Sequence, residues 1–324
     1  ALSSGILRRH PDSSPSMPEV SPNPAWAPVL AQAQEALSEA SSDARRLFHG
    51  RGQCFPGLEH LAVDWLPPVA LITLYAPVAP ESLADLADRL VAEIPCSCIL
   101  VQRRHEPKAP WDVLRGTPPT NPICEEDGLR YQLLLQRNQN TGFFLDMRCG
   151  RALVRSLAAG RRVLNLFAYT CSFSVAAVAG GAEMVTNIDM SSAALTVGRE
   201  NHRLNSHDLS KVRFLAHDIK KSYGKIKRLG PLDLVIIDPP TDQARGFRVR
   251  DDYARVVRRL ESWCAPGAQV VACLNAPALS GEFLQKIFAA EAPSLQLIDQ
   301  LAAPPEFTEA PGRGALKIHV YEKP

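Results

Sequence analysis

The chain has almost no excess of either charge: 36 Lys and Arg against 34 Asp and Glu leave a formal net charge of +2 over 324 residues. That balance neither demands nor excludes nucleic acid, because a local basic face holds phosphates even when the total cancels. No apolar stretch reaches the roughly 18 to 20 residues needed to cross a bilayer, and the N-terminus has no apolar core of signal-peptide type. No membrane partner and a cytoplasmic location are therefore expected. The eight cysteines (54, 96, 98, 124, 149, 171, 264 and 273) show no zinc-ligand spacing, so no metal is expected. Several lie in apolar runs and read as reduced core thiols. No internal repeat is present. What remains is a globular chain, 46% hydrophobic and 22% charged, long enough for two domains with separate cores.

A more telling absence is local. Arg162 to Asp189, RVLNLFAYTCSFSVAAVAGGAEMVTNID, reads as a hydrophobic strand, a tight turn, a helix of small residues and a second strand ending in a carboxylate. That is a nucleotide-binding β-α-β unit, yet the turn from Ala168 to Ser172 contains no glycine. Dinucleotide folds use G-x-G-x-x-G to admit a pyrophosphate. A ligand without phosphates fits better, and S-adenosylmethionine (SAM) suits the spacing better than NAD. Helix N-terminal amides face such a ligand, and Asp189 can accept hydrogen bonds from its ribose diol.

The first thirty residues are rich in Pro and Ser and read as a disordered or loosely draped arm. A helical pattern runs from Ala31 to Leu47, and LEHLAVDWLPPVALITLY (58–75) reads as a hairpin or meander. A helix over 81–94 follows, then the strand CSCILVQRR (96–104) and further strands near 130–136. The expected division is an arm over 1–45, a small α+β domain over 46–130 and a larger α/β domain over 131–324. In the last of these, strands VLNLF, MVTNI, VRFLA, LDLVIID, AQVVACL, LQLIDQL and ALKIHVY alternate with helical stretches, except that the last two strands lie close together. Such alternation predicts a mostly parallel seven-stranded sheet, last strand antiparallel, with helices on both faces. It is the Rossmann-like arrangement of class I SAM methyltransferases.

The segment EEDGLRYQLLLQRNQNTGFFLDMR (125–148), followed by VLNLFAYTCSFSVAA, NIDMSSAALTVGRENHRLN and LVIIDPPT, closely resembles the bacterial 23S ribosomal-RNA large-subunit methyltransferases. Both the cytosine carbon-5 type and its guanine-N7-methylating relatives share these motifs. The resemblance extends back through GRGQCFPGLEHLAVDW (50–65) to the family's small central domain, and no counterpart of the family's N-terminal PUA-type RNA-binding module is expected from the short Pro- and Ser-rich arm. It implies SAM as cofactor, RNA as partner and methyl transfer as the activity. In the turn, where the family carries Tyr-Thr-Gly-Gly or Tyr-Thr-Gly-Ser, this chain has Tyr169-Thr170-Cys171-Ser172. If that glycine takes a positive φ, Cys171 costs about 1 kcal/mol or more of strain, or narrows the pocket.

The cofactor-binding residues expected are Phe144 and Arg148 from GFFLDMR, Asn165, Phe167, Ala168, Thr170, Ser172 and Phe173 from the first strand and turn, and Asp189 with Met190 after the second strand. Asp218 and Ile219 after the third strand and Asp238 after the fourth complete the set. Arg148 is placed to meet a carboxylate bidentately, although an Asp146 and Arg148 pair could equally pin a domain junction. A lone Asp after a strand is often only a helix N-cap. Three carboxylates at successive strand ends, where ligands of open α/β sheets lie, are more than that.

Two residues carry the expected chemistry. Carbon 5 of cytosine has no lone pair, so methylation there needs a thiolate to add at carbon 6. The family's cytosine enzymes place that Cys at the end of the fifth strand, where this chain has Cys273, with Ala272, Leu274 and Asn275 replacing the usual polar and glycine neighbours. An inert core thiol is the competing reading, since Cys is among the most buried residue types. Asp238, in Asp-Pro-Pro-Thr, is the expected partner of the base's ring nitrogen. Thr241 offers no stacking face, which argues against an adenine-amine methylase unless Phe247 or Tyr253 supplies one. Basic segments at 102–108, 220–228 and 245–259, with Tyr223, Phe247 and Tyr253 interleaved, are candidate RNA contacts. Open beside the carbon-5 reading are a guanine-nitrogen RNA methyltransferase, a small-molecule methyltransferase and a catalytically silent SAM or RNA binder.

Overall fold

The computed structural model describes residues 26–38, 41–137, 139–241, 246–314 and 316–324. Most of the expected arm, and Arg245, fall outside these residues. The chain opens on α1 (Ala27–Ala36), then β1 (Arg45–His49), β2 (Leu61–Leu66), β3 (Val69–Leu74), α2 (Pro80–Glu93), β4 (Cys98–Arg103) and β5 (Trp111–Gly116). These strands form one sheet in chain order, antiparallel except where β3 pairs with β4. The helical reading of 31–47 is thus corrected at both ends. The helix begins earlier, with Trp26 buried and its indole donating to the Ser82 carbonyl at 3.1 Å. It stops at Ala36, because Arg45–His49 pairs with β2, from Arg45 opposite Trp65 to His49 opposite Ala62. Strand pairing here outweighs helical periodicity.

Next come the hairpin β6 (Ile123–Glu126) and β7 (Leu129–Gln132), then α3 (Arg148–Leu157). The remainder alternates: β8 (Arg162–Leu166), α4 (Ser172–Ala179), β9 (Met184–Asp189), α5 (Ser192–Leu204), β10 (Val212–Ala216), α6 (Tyr223–Lys227), β11 (Leu232–Ile237), α7 (Val249–Trp263), β12 (Cys264–Asn275), α8 (Gly281–Glu291), β13 (Gln296–Leu301) and β14 (Leu316–Glu322). The sheet order is β10-β9-β8-β11-β12-β14-β13, and β14 is the antiparallel member. This is the expected mostly parallel seven-stranded sheet. Its order reverses between β8 and β11, so the carboxyl ends of five parallel strands open on one crevice.

Packing joins the two sheets. One face of the small sheet is covered by α1 and α2 through Leu30, Ala33, Leu83, Leu86 and Leu90. Its other face, with Leu71 and Leu100, shares a core with Tyr131 and Phe143 and with Val175 and Ala176 of α4. Inside this junction Arg151 of α3 meets Glu126 of β6 bidentately, Nε to Oε1 at 2.6 Å and a terminal nitrogen to Oε2 at 2.7 Å. The remaining guanidinium nitrogen donates to the Phe144 carbonyl at 2.8 Å, and the cation lies 4.1 Å from the centre of the Phe143 ring. Both partners are buried. Glu126→Ala leaves a buried cation unpaired, so urea denaturation should show a loss of about 3–5 kcal/mol.

Candidate functional site

At the sheet's carboxyl edge lies a cavity of about 600 Å³, within the range of about 300–1,000 Å³ usual for small-ligand sites. It is walled by Phe144, Asp146 and Met147 before α3, by Phe167, Ala168, Tyr169, Ser172 and Phe173 of the first turn, and by Asp189, Met190, Asp218 and Ile219. The Asp238-Pro239-Pro240-Thr241 turn, Phe247 and Asn275 close it. Asp189 accepts backbone N–H bonds from Tyr169 and Ser191, both at 2.8 Å. Each oxygen keeps a lone pair, so a ribose diol can still be accepted. Asp218 caps the short turn after it, accepting from the Lys220 amide at 2.9 Å, and still borders the cavity.

The first turn is held by strain and by a relocated glycine. Phe167, Tyr169 and Cys171 all have positive φ, 58°, 47° and 62°, a conformation that disfavours side chains. Cys171 is fully buried, and room for it comes from α5. A Cβ added at Gly198 would stand 2.4 Å from the Cys171 sulfur and 2.9 Å from its Cβ. The glycine absent from the turn is thus matched by one in the facing helix. Asn201, one helical turn on, donates to the Thr170 carbonyl at 2.9 Å and fixes the turn from the same side.

Four expected site residues do not line the cavity. Arg148 faces the domain junction, paired with Asp43 at 2.7 Å and Asp127 at 3.0 Å. The alternative Asp146 and Arg148 pair is not formed: Asp146 accepts from Asn275 instead. Asn165 is buried, donating to Asn187, which in turn donates to Ser174 beside His202. Thr170 is spent inward on the Gly142 carbonyl at 2.6 Å. Cys273 is fully buried in the apolar layer with Met147, Phe173 and Ile318. Burial, reinforced by the Asp238 and Asp146 charges, pushes its thiol far above the ordinary value. No cysteine lines the cavity among the described residues.

Two positions along β12, at the strand's last residue, Asn275 reaches the cavity instead. Its amide donates to Asp146 at 3.3 Å, and its backbone carbonyl accepts from the Thr241 hydroxyl at 2.5 Å. The signal that could have found Asn275 is strand period: residues 273 and 275 share a face, and only the second lies past the packed layer. Asp146 and Asp238 are half-buried carboxylates bordering the cavity. Burial, with the Asp146 charge second, pushes Asp238 up to about 7. Burial raises Asp146 as well, against the opposing fields of Arg46 and Arg151. Of the proposed stacking residues, Phe247 borders the cavity edge-on to Phe167 at 4.7 Å. Tyr253 is buried and spends its hydroxyl on the Cys273 carbonyl at 3.0 Å. Tyr223 packs near Trp263 and Arg259, away from the cavity.

An open doubly wound sheet with strand-end carboxylates and a non-phosphate turn defines a nucleoside-binding transferase site. The family of S-adenosylmethionine-dependent methyltransferases matches residues 45–322, and this chain belongs to it. SAM is its cofactor, and the cavity's volume and the acceptors on Asp189 fit that molecule. Ribosomal RNA large subunit methyltransferase I of Serratia proteamaculans is 34% identical over 206 residues, covering 61% of this chain and 51% of that protein. The chain therefore spans about half of that relative. YwbD of Bacillus subtilis is 29% identical over 322 residues, 90% of this chain and 78% of its own length. The crystal structure of SMU.776 complexed with SAH shares the fold, with a TM-score of 0.80 at 23% identity, covering 94% of this chain and 83% of that one.

The turn is the part of the site most exposed to substitution. Gly198→Ala should cost about 1–3 kcal/mol, as overpacking does, and adding Cys171→Gly should recover most of it. Urea denaturation of both variants checks this, and additive losses would show the two positions to be independent.

Proposed function

We propose that the chain transfers the methyl group of SAM to a nitrogen of an RNA base, ribosomal RNA being the substrate its relatives suggest and the cytoplasm its setting. The observation that carries this is the wall of the cavity: Asp238 and Asn275 face it, and Cys273 does not. A carbon-5 mechanism needs a thiolate in contact with the base, whereas a nitrogen has its own lone pair. SAM supplies an electrophilic methyl on a positively charged sulfur. Asp189 would accept from the ribose hydroxyls and Asp218 from the adenine amino group, with Phe144, Phe167, Ala168, Ser172, Phe173, Met190 and Ile219 forming the walls. Of the four bases, guanine presents two adjacent N–H donors on its Watson–Crick edge, which one carboxylate accepts together. Asp238 would hold that edge and take up the proton shed on methylation. The Asn275 amide oxygen offers a further acceptor, and Phe247 a face against the base.

Losing Asp189 removes a charged acceptor for two hydroxyls. Asp189→Ala should weaken SAM binding by about ten- to a hundredfold, or about 1.5–3 kcal/mol, by calorimetry. Unchanged affinity would remove Asp189 from the ribose site.

Asp238→Asn should abolish methyl transfer from radiolabelled SAM to ribosomal RNA, and Cys273→Ala should retain it. With its carboxyl raised to about 7, Asp238 accepts only above that pH. In the wild-type chain kcat/KM should therefore rise with pH through a midpoint near 7. Loss of turnover in Cys273→Ala with SAM affinity intact would restore the carbon-5 route, and nucleoside mass spectrometry of the product identifies the methylated atom.

A further inference from the structure

A second cavity, about 610 Å³, lies against the small sheet and is bordered on its other side by Ala303, Pro304, Phe307, Thr308 and Arg313. It meets the first at Asn140, Phe144, Asp146 and Asn275, which border both. The chemistry just described uses only the cofactor side, so this second chamber needs its own account. Four guanidinium groups border it: Arg46, Arg51, Arg104 and Arg313. Arg46 is held by Asp64 at 2.5 Å and lies 4.6 Å from the Phe307 ring centre. Arg104 donates to the Gln139 carbonyl at 2.6 Å and the Asn140 side chain at 3.1 Å, both neutral acceptors. Arg51 stacks over Tyr75 at 4.1 Å. Among the described residues, neither it nor Arg313 lies within ion-pair distance of a carboxylate, and both are exposed.

The chamber is thus bordered by four guanidinium groups and three carboxylates, Asp64, Asp146 and Glu309, and two of the cations, Arg51 and Arg313, stand outside ion-pair distance of any carboxylate among the described residues, beside aromatic faces. His49 senses the field: burial first, then Arg46 and Arg51, push its imidazole down to about 4, so it adds no charge of its own at neutral pH. A base that reaches the cofactor side from a polynucleotide brings its flanking phosphates with it. A free small molecule brings none. Arginine is suited to phosphate because its fork of donors matches the anion and its plane stacks on rings, and stacking with phosphate contacts is how single strands are held. Phe144, 42% exposed and common to both cavities, stands at the passage between them.

We propose that the second cavity anchors the RNA backbone next to the methylated nucleotide, with Arg51 and Arg313 on its phosphates and Phe144 against the extruded base. This rests on the reading that the methyl acceptor is RNA. It differs from an RNA face built on the flanks of the Asp-Pro-Pro turn, where several cations are already engaged: Lys220 and Arg255 with Asp252, and Arg258 with Glu291.

The test is fluorescence anisotropy of a short labelled single-stranded RNA across a range of KCl concentrations. In Arg51→Gln/Arg313→Gln the slope of log affinity against log salt should flatten by about 0.7 for each arginine removed, with SAM affinity unchanged as the check on folding. Arg51→Lys/Arg313→Lys, which keeps the charges, should retain the wild-type slope. A wild-type slope in the double glutamine variant overturns the anchor. Methyl transfer on the same preparations separates this from the parent reading. Arginine-dependent RNA binding without transfer would sink the proposed reaction and leave the anchor standing, whereas transfer with no change in slope would do the reverse.

Discussion

The buried pair of Arg151 and Glu126 is the constraint on which the rest depends. Removing both charges from water costs several kcal/mol per ion, and that cost is met only because every edge of the guanidinium is engaged, by two carboxylate oxygens, a carbonyl and a ring. The arrangement ties three separate pieces together. Glu126 belongs to the hairpin, Arg151 to the helix before the large sheet, and the Phe144 carbonyl to the segment that walls both cavities. Arg151 also lowers the pKa of Asp146 and Asp238, opposing the burial that raises them. A group that looks purely architectural therefore helps set how readily the site's carboxylates ionise.

Those two carboxylates make the cavity responsive to what enters it. Each is half-buried at the cavity wall and raised by desolvation, and Asp146 adds to the rise at Asp238. A positively charged ligand favours the ionised form of both, so its binding is coupled to proton release. Thr241 and Asn275 tie the Asp-Pro-Pro turn to the end of β12 and to Asp146, which keeps the acidic residues in one place without neutralising them.

Much of the fold was legible because parallel sheets write themselves as alternating apolar runs and helices, and LDLVII and its neighbours do so plainly. The strand-end carboxylates were legible for a related reason: parallel register brings Asp189, Asp218 and Asp238 to the same edge wherever the strands start. The first helix was misjudged because Arg45–His49 is a strand only in the company of β2. Arg148, Asn165, Thr170 and Cys273 were misplaced for one shared reason. Sequence spacing shows which end of an element a residue occupies, but not which way it points there, and each of these four turns inward to a partner or a packed layer. Asn275 shares a strand face with Cys273, and period alone does not say that the packed layer ends between the two.

The contact between Cys171 and Gly198 has a consequence for redesign of this site. With a side chain in the turn, a methyl group at the helix position would stand 2.4 Å from the Cys171 sulfur; with glycine in the turn, the nearest remaining neighbour is the Thr170 backbone at 3.3 Å. Two residues 27 positions apart are therefore a single unit for substitution, and a larger residue at one of them is best introduced together with a smaller one at the other.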